Sequence, residues 1–322
     1  MSIKKIAGTS FVFVLIFIVF ASSIFGQEID DWLRLRNYTP PQAIAALATD
    51  TTMNDASRRL FYVWHPELAD KATFNTHCRD NEQTIVLGCF IPGNGIYLLD
   101  VTDDRLTGVE QVTAAHELLH AAYERLSSKE RARIDALVLQ TYESLNNERI
   151  KSTVELYRSQ DPGIVPNELH SIIGTEVRDL PAELEEYYGR YFIDRSKVVG
   201  FSERYEQAFI DRRNQIRAYD EQLAVLKTQL EALQSSLLAT DSELKNQRDY
   251  MNGLKSSGQT TAYNEQVPIY NAKVRQYNRD INKLEDMISQ YNDIVQKRNS
   301  IAAEEAELVE AIDSREVVPQ QL

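Results

Sequence analysis

Apolar residues follow three regimes along this chain: an unbroken run near the start, short helical and alternating patches to about residue 200, and a seven-residue repeat after that. The first regime is FVFVLIFIVF, the centre of an uncharged stretch from Ile6 to Gln27 that comes after MSIKK. A basic start and about 20 apolar residues suit either a secretory signal or one bilayer crossing. Residues 1–27 are therefore expected to be a signal peptide or an N-terminal membrane anchor. The lysines before the run and EIDD after it favour a cytoplasmic N-terminus. The expected location is the cell membrane, single-pass with the rest of the chain outside the cytoplasm, or secretion.

The second regime mixes periods. Pro40 and Pro41 open a helical pattern at PPQAIAALA. RLFYVWH and, after a Pro-Gly-Asn-Gly turn signal, GIYLLDV read as strands of a small sheet. Val112, Ala115, Leu119, Ala122 and Tyr123 then recur at helical spacing, which predicts a helix from about Gly108 to Leu126. Ser127 with Glu130 three residues later is a capping box for the next helix, Pro166 opens another, and Asp179 before Pro181 starts a fourth. These patterns predict an α+β domain over residues 28–200.

The third regime is a sustained heptad. Phe209, Ile216, Leu223, Leu230, Leu237, Leu244 and Met251 recur every seven residues, with Tyr219, Leu226, Leu233 and Leu254 between them. Beyond NGLKSSGQTT lies a second run, with Val267, Val274, Ile281, Ile288 and Val295 alternating with Tyr270, Tyr277, Leu284 and Tyr291. Two such runs around a tight break predict a long antiparallel α-helical coiled-coil hairpin over 201–315, each arm about 65–70 Å at 1.5 Å per residue. Tyr-Asn pairs beginning at 263, 270, 277 and 291 read as seam packing. Residues 316–322 are expected to be a disordered tail.

Charge removes one class of partner. The net charge is −13, and Lys4 and Lys5 both precede the apolar run, so the chain beyond that run is more acidic still. Such a surface repels phosphate backbones, and no nucleic-acid partner is expected. Cys78 and Cys89 are the only cysteines, an even count in a chain expected to reach an oxidising space. A disulfide between them would contribute roughly 2–3 kcal/mol. Metal binding there is disfavoured, since no CxxC is present and His77 alone makes no site.

AHELLHA, residues 115–121, carries the candidate chemistry. The helical repeat puts His116 and His120 on one face, one turn apart, so both imidazoles can reach one ion. Zinc hydrolysis needs neutral imidazoles, one further protein ligand, an open position, and a carboxylate to take a proton from zinc-bound water. Glu117 fits the last role. Small neighbours at Ala114, Ala115, Ala121 and Ala122 suit an accessible site.

AHELLHA resembles the active-site helix of the zincin metallopeptidases. No GxxH comes after His120, so the three-histidine metzincin pattern is absent. The resemblance then implies a gluzincin-like arrangement, of an outlying bacterial kind, in which a glutamate from a later helix completes the site. Candidates in NELHSIIGTE are Glu168, Glu176 and His170. Glu168 fits best, because LHSIIG after it is similar to the third-ligand context of bacterial neurotoxin-type gluzincins. Thermolysin-like enzymes have an Asp four residues after that glutamate, where Ile172 stands here, so another acid must orient a histidine, with Glu176 the candidate. By the same analogy GIYLLDV is expected to be the edge strand that pairs with an extended peptide. Tyr187, Tyr188 and Arg190 are available as oxyanion donors, without an assignment.

The expected function is an exported, membrane-anchored zinc metallopeptidase, with His116, His120 and Glu168 holding one Zn²⁺ per chain and Glu117 catalytic. Its partners would be a peptide or protein substrate, the membrane through the N-terminal segment, and a protein partner or second copy through the coiled coil. Two alternatives stand beside it: an envelope scaffold or adaptor acting through the hairpin, and a cell-wall amidase using the same chemistry.

Overall fold

The computed structural model describes residues 26–78 and 85–315. The expectations for the apolar run and for the tail at 316–322 fall outside those residues. The fold is mostly helical, with one small sheet and a long helical hairpin, which agrees with the α+β class. The described residues divide into two compact units, one of 26–78, 85–207 and 309–315, the other of 208–308.

In the first unit, α1 covers residues 26–35, and α2 (Gln42–Asp50) and α3 (Asp55–Val63) come after it. A three-stranded sheet is next, built from β1 (Glu67–Ala69), β2 (Gly88–Ile91) and β3 (Gly95–Leu99), with α4 (Lys71–His77) between the first two. The order is β1-β3-β2, β1 running parallel to β3 and β2 antiparallel. Five helices complete the part that carries the site: α5 (Val109–Glu124), α6 (Ser128–Ser144), α7 (Glu148–Gln160), α8 (Val165–Glu176) and α9 (Ala182–Tyr188).

Two expectations about strands are overturned in this unit. RLFYVWH is not a strand: its first residues belong to α3 and its last two cap that helix. Asn54 accepts a hydrogen bond from the Ser57 N–H at 3.0 Å, and Ser57, Leu60 and Phe61 are buried at helical spacing. His65 then takes a positive φ of 44° and ends the element. The second correction concerns GIYLLDV, which forms β3, the central strand. Parallel β1 covers the side that a substrate would need.

Ser127 caps α6 as expected, its hydroxyl accepting from the Glu130 N–H at 3.2 Å, while the Glu130 carboxylate pairs with Arg190. Pro166 lies in the first turn of α8 as expected. The fourth predicted helix starts after Pro181 without a side-chain cap, so Asp179 plays no capping part. Helix α7 is an addition to the expected elements, although Asn147 caps it and Ile150 and Val154 bury one face. Cys78 and Cys89 are joined in a disulfide that ties the end of α4 to β2.

The core of this unit lies where α5 and α8 cross. Leu118, Leu119, Leu169 and Ile173 are all but inaccessible, with Phe61, Ile134 and Tyr188 around them. The close approach depends on Gly174, where a Cβ would lie 2.5 Å from Leu119 Cδ1 and 2.6 Å from Tyr188 Cε1. Alanine's better helix propensity returns about 1 kcal/mol, against about 1–3 kcal/mol for overpacking a filled core. Gly174→Ala is therefore expected to destabilise by up to about 2 kcal/mol in chemical denaturation. A variant as stable as the parent would show that this crossing is loose.

The second unit is formed by the greater parts of α10 (Arg195–Ser256) and α11 (Thr260–Ile312). Their antiparallel course shows in three ion pairs, Arg212 with Glu304, Asp220 with Arg298 and Glu243 with Lys273, whose numbers rise on one helix as they fall on the other. Leu237, Leu244, Met251 and Leu254 are buried, as the heptad predicts. In α11 the register departs from it once: Met287 is buried and Ile288 is 44% exposed. Tyr263, Tyr270, Tyr277 and Tyr291 are half-buried along the seam. At the bend, Gln259 N–H donates to Leu254 O and Gly258 N–H to Lys255 O, the paired bonds of a Schellman stop.

Candidate metal centre

Helix α5 supplies three of the candidate residues from little more than one turn. His116 and His120 stand edge to face, their ring centroids 4.7 Å apart. Helix α8 supplies the fourth, because Pro166 starts it early enough to put Glu168 in its first turn, opposite α5. The Glu168 carboxylate reaches both rings, with Oε2 3.7 Å from His116 Nε2 and Oε1 3.6 Å from His120 Nε2. These three side chains are the group among the described residues whose donor atoms could converge on a metal, all within 4.8 Å of one another.

The donor set fits zinc. Two imidazole nitrogens and one carboxylate oxygen are its ordinary hydrolytic ligands, and atoms bonded tetrahedrally to it lie about 3.3–3.6 Å apart. The two carboxylate–imidazole separations are close to that range and too long for direct hydrogen bonds. Asn167 Oδ1 accepts from His120 Nδ1–H at 3.0 Å, which leaves the Nε2 lone pair for an ion. Burial tends to raise the Glu168 carboxyl, but the charges of His120 and His116 outweigh it, and the net shift is downward. That attraction belongs to the protonated imidazoles; with both neutral, as metal binding requires, a bound cation would hold the carboxylate ionised in their place.

Glu117 is 4% exposed and lies beneath β2. The contact is made possible by Gly88, where a Cβ would meet Thr113 Cγ2 at 2.6 Å and Glu117 Oε1 at 2.8 Å. Any side chain there would displace the carboxylate or lift the strand. Among the described residues β2 lies at the end of the sheet order, so the edge strand beside the site is GCFI rather than GIYLLDV. Between β2, α5, α7 and α8 opens a cleft of about 540 Å³, lined by His116, Glu117, His120 and Glu168 together with Phe90, Thr153 and Tyr157.

The other sequence candidates lie elsewhere. His170 is fully buried, its Nε2 2.8 Å from the Tyr187 hydroxyl, and burial first, then the charges of His120 and His116, lower its pKa to about 3. It is a neutral core histidine. Glu176 lines the cleft but is paired with Arg149, which also bonds Glu206 at 2.6 Å. Orientation of His120 therefore comes from Asn167 and not from Glu176. Tyr187 and Tyr188 are core residues, the latter donating to His170 O at 2.7 Å, and Arg190 pairs with Glu130. None of the three lines the cleft.

Three residues at the site escape sequence reasoning: Asn167, Arg149 and Gly88. Asn167 adjoins the best ligand candidate and is hidden by the expectation of an acid. Arg149 belongs to α7, whose cap and apolar spacing are both legible. Gly88 gives no signal, since close approach of a strand to a carboxylate is a tertiary fact. No protein-family model, curated protein or solved structure matches this chain.

Proposed function

We propose that this protein is a zinc-dependent metallopeptidase, exported and held at the membrane by its N-terminal segment. The observation that carries the reading is the convergence of His116, His120 and Glu168 in a cleft where Glu117 lies under an edge strand. When bound, zinc would supply Lewis acidity, lowering the pKa of a coordinated water and polarising the scissile carbonyl. His116, His120 and Glu168 would hold it, with Asn167 orienting His120. Glu117 would take the proton of the attacking water and pass it to the leaving amine.

Strand β2 supplies the means of placing a substrate. Its outer edge, unpaired among the described residues, offers backbone donors and acceptors to an extended peptide, and the disulfide at Cys89 fixes the strand in position. The cleft wall mixes apolar Phe90 and Val112 with the paired Arg149 and Glu176.

Metal analysis of the purified full chain tests the reading. About one zinc per chain is expected, and stripping it with a chelator should abolish cleavage of a peptide library, with zinc restoring it. The same chemistry serves other amides, so cell-wall peptide amides belong in the assay. A chain that binds no zinc overturns the reading. One that holds zinc yet cleaves neither class would shift the role to the hairpin, as a scaffold.

A further inference from the structure

Helix α1 carries an apolar face that stays exposed among the described residues of the first unit. Ile29, Trp32 and Leu33 are 50%, 57% and 46% exposed. They occupy positions i, i+3 and i+4, one side of a helix. Isolated exposed apolar residues are ordinary, but three together including a tryptophan are a surface with a use.

The opposite side of α1 is fastened to the protein. Asp31 is buried and accepts two hydrogen bonds from Arg125, at 2.7 and 2.8 Å. Arg125 is the C-cap of α5, the helix that carries His116, Glu117 and His120. Arg34 lies over the Trp64 ring at 5.0 Å, and its carbonyl lies 2.9 Å from His65 Nε2. The apolar face therefore has a fixed direction relative to α5.

The sequence indicates what meets that face. The uncharged run from Ile6 to Gln27 leads directly into α1. If that run enters a bilayer, α1 begins at the bilayer surface, where tryptophan and aliphatic side chains favour the boundary between headgroups and chains. Charge argues for insertion rather than electrostatic adsorption, because residues 28–36 hold three acids and two arginines.

We propose that Ile29, Trp32 and Leu33 insert into the headgroup–acyl boundary of the membrane, and that α1, through Asp31 and Arg125, sets the orientation of α5 above it. The proposal rests on the reading of residues 6–27 as a membrane segment, and the experiment separates the two.

Trp32 and Trp64 are the only tryptophans, so Trp64→Phe leaves one reporter. The full chain carrying that change is reconstituted into phosphatidylcholine vesicles containing lipid with a nitroxide either near the headgroup or near the chain end. Flotation reports the anchor, and Trp32 emission reports the face. The expected result is co-flotation, with the shallow nitroxide quenching roughly twofold more than the deep one and aqueous iodide quenching reduced on lipid addition. Quenching should persist in high salt and vanish in Trp32→Phe, which retains Trp64. Flotation with Trp32 still open to iodide overturns the inference alone, and so does concentration-dependent shielding without lipid, which would assign the face to a second copy. Failure to float overturns the anchor reading together with it.

Discussion

Glu117→Gln is expected to keep its zinc and lose its hydrolysis, with kcat lower by about 10²–10⁴-fold, the range for removing a positioned general base. The amide has nearly the volume of the carboxylate, so it fits the space beneath Gly88 without disturbing the strand. It makes no metal contact in the proposed arrangement, since the converging donors belong to His116, His120 and Glu168. What it cannot do is accept a proton. Parallel measurements of zinc content and peptide cleavage check this, and a variant with more than about a tenth of parental activity would remove Glu117 from the mechanism.

Glu168→Gln should act on the other quantity. Loss of the anionic ligand leaves two imidazoles, and zinc affinity is expected to fall by more than the roughly 10–100-fold that removing a ligand's hydrogen-bond partner costs. Asn167→Ala supplies that comparison within the same site, because its side-chain oxygen is the partner of His120. Glu176→Gln should bind zinc like the parent, its carboxylate being engaged by Arg149. Competition against a chromogenic chelator ranks the three. If Glu176→Gln lost the metal while Glu168→Gln kept it, the third ligand would have been misassigned.

The sequence is most informative where one element carries its own pattern. The heptad of α10 is matched by burial at Leu237, Leu244 and Met251, and the motif in α5 needs only the 3.6-residue repeat to align its histidines. Pro166 marks the start of the helix that carries Glu168, but the choice of Glu168 over Glu176 and His170 comes from the resemblance and not from a local signal. Legibility fails where the partner is remote. β1 is three residues long and pairs in parallel with β3, so nothing in GIYLLDV shows that its free side is taken. RLFYVWH is rich in residues that favour strands, yet Asn54 and the spacing of Ser57, Leu60 and Phe61 decide for a helix. The tyrosines at 187 and 188 differ from active-site tyrosines only in where α9 packs, which composition does not record.

The division of the chain gives the hairpin a different standing from a C-terminal appendage. Residues 309–315 belong with the first unit, where Ser314 Oγ donates to Val86 O at 2.9 Å and Asn75 Nδ2 donates to Ser314 O at 2.8 Å. Val86 lines the cleft just before β2. The first unit is therefore discontinuous in sequence and the hairpin is an insertion within it. A fragment cut after residue 207 would lack a support of its own cleft wall, and a protease nick in the hairpin would leave that support in place, held without a covalent bond.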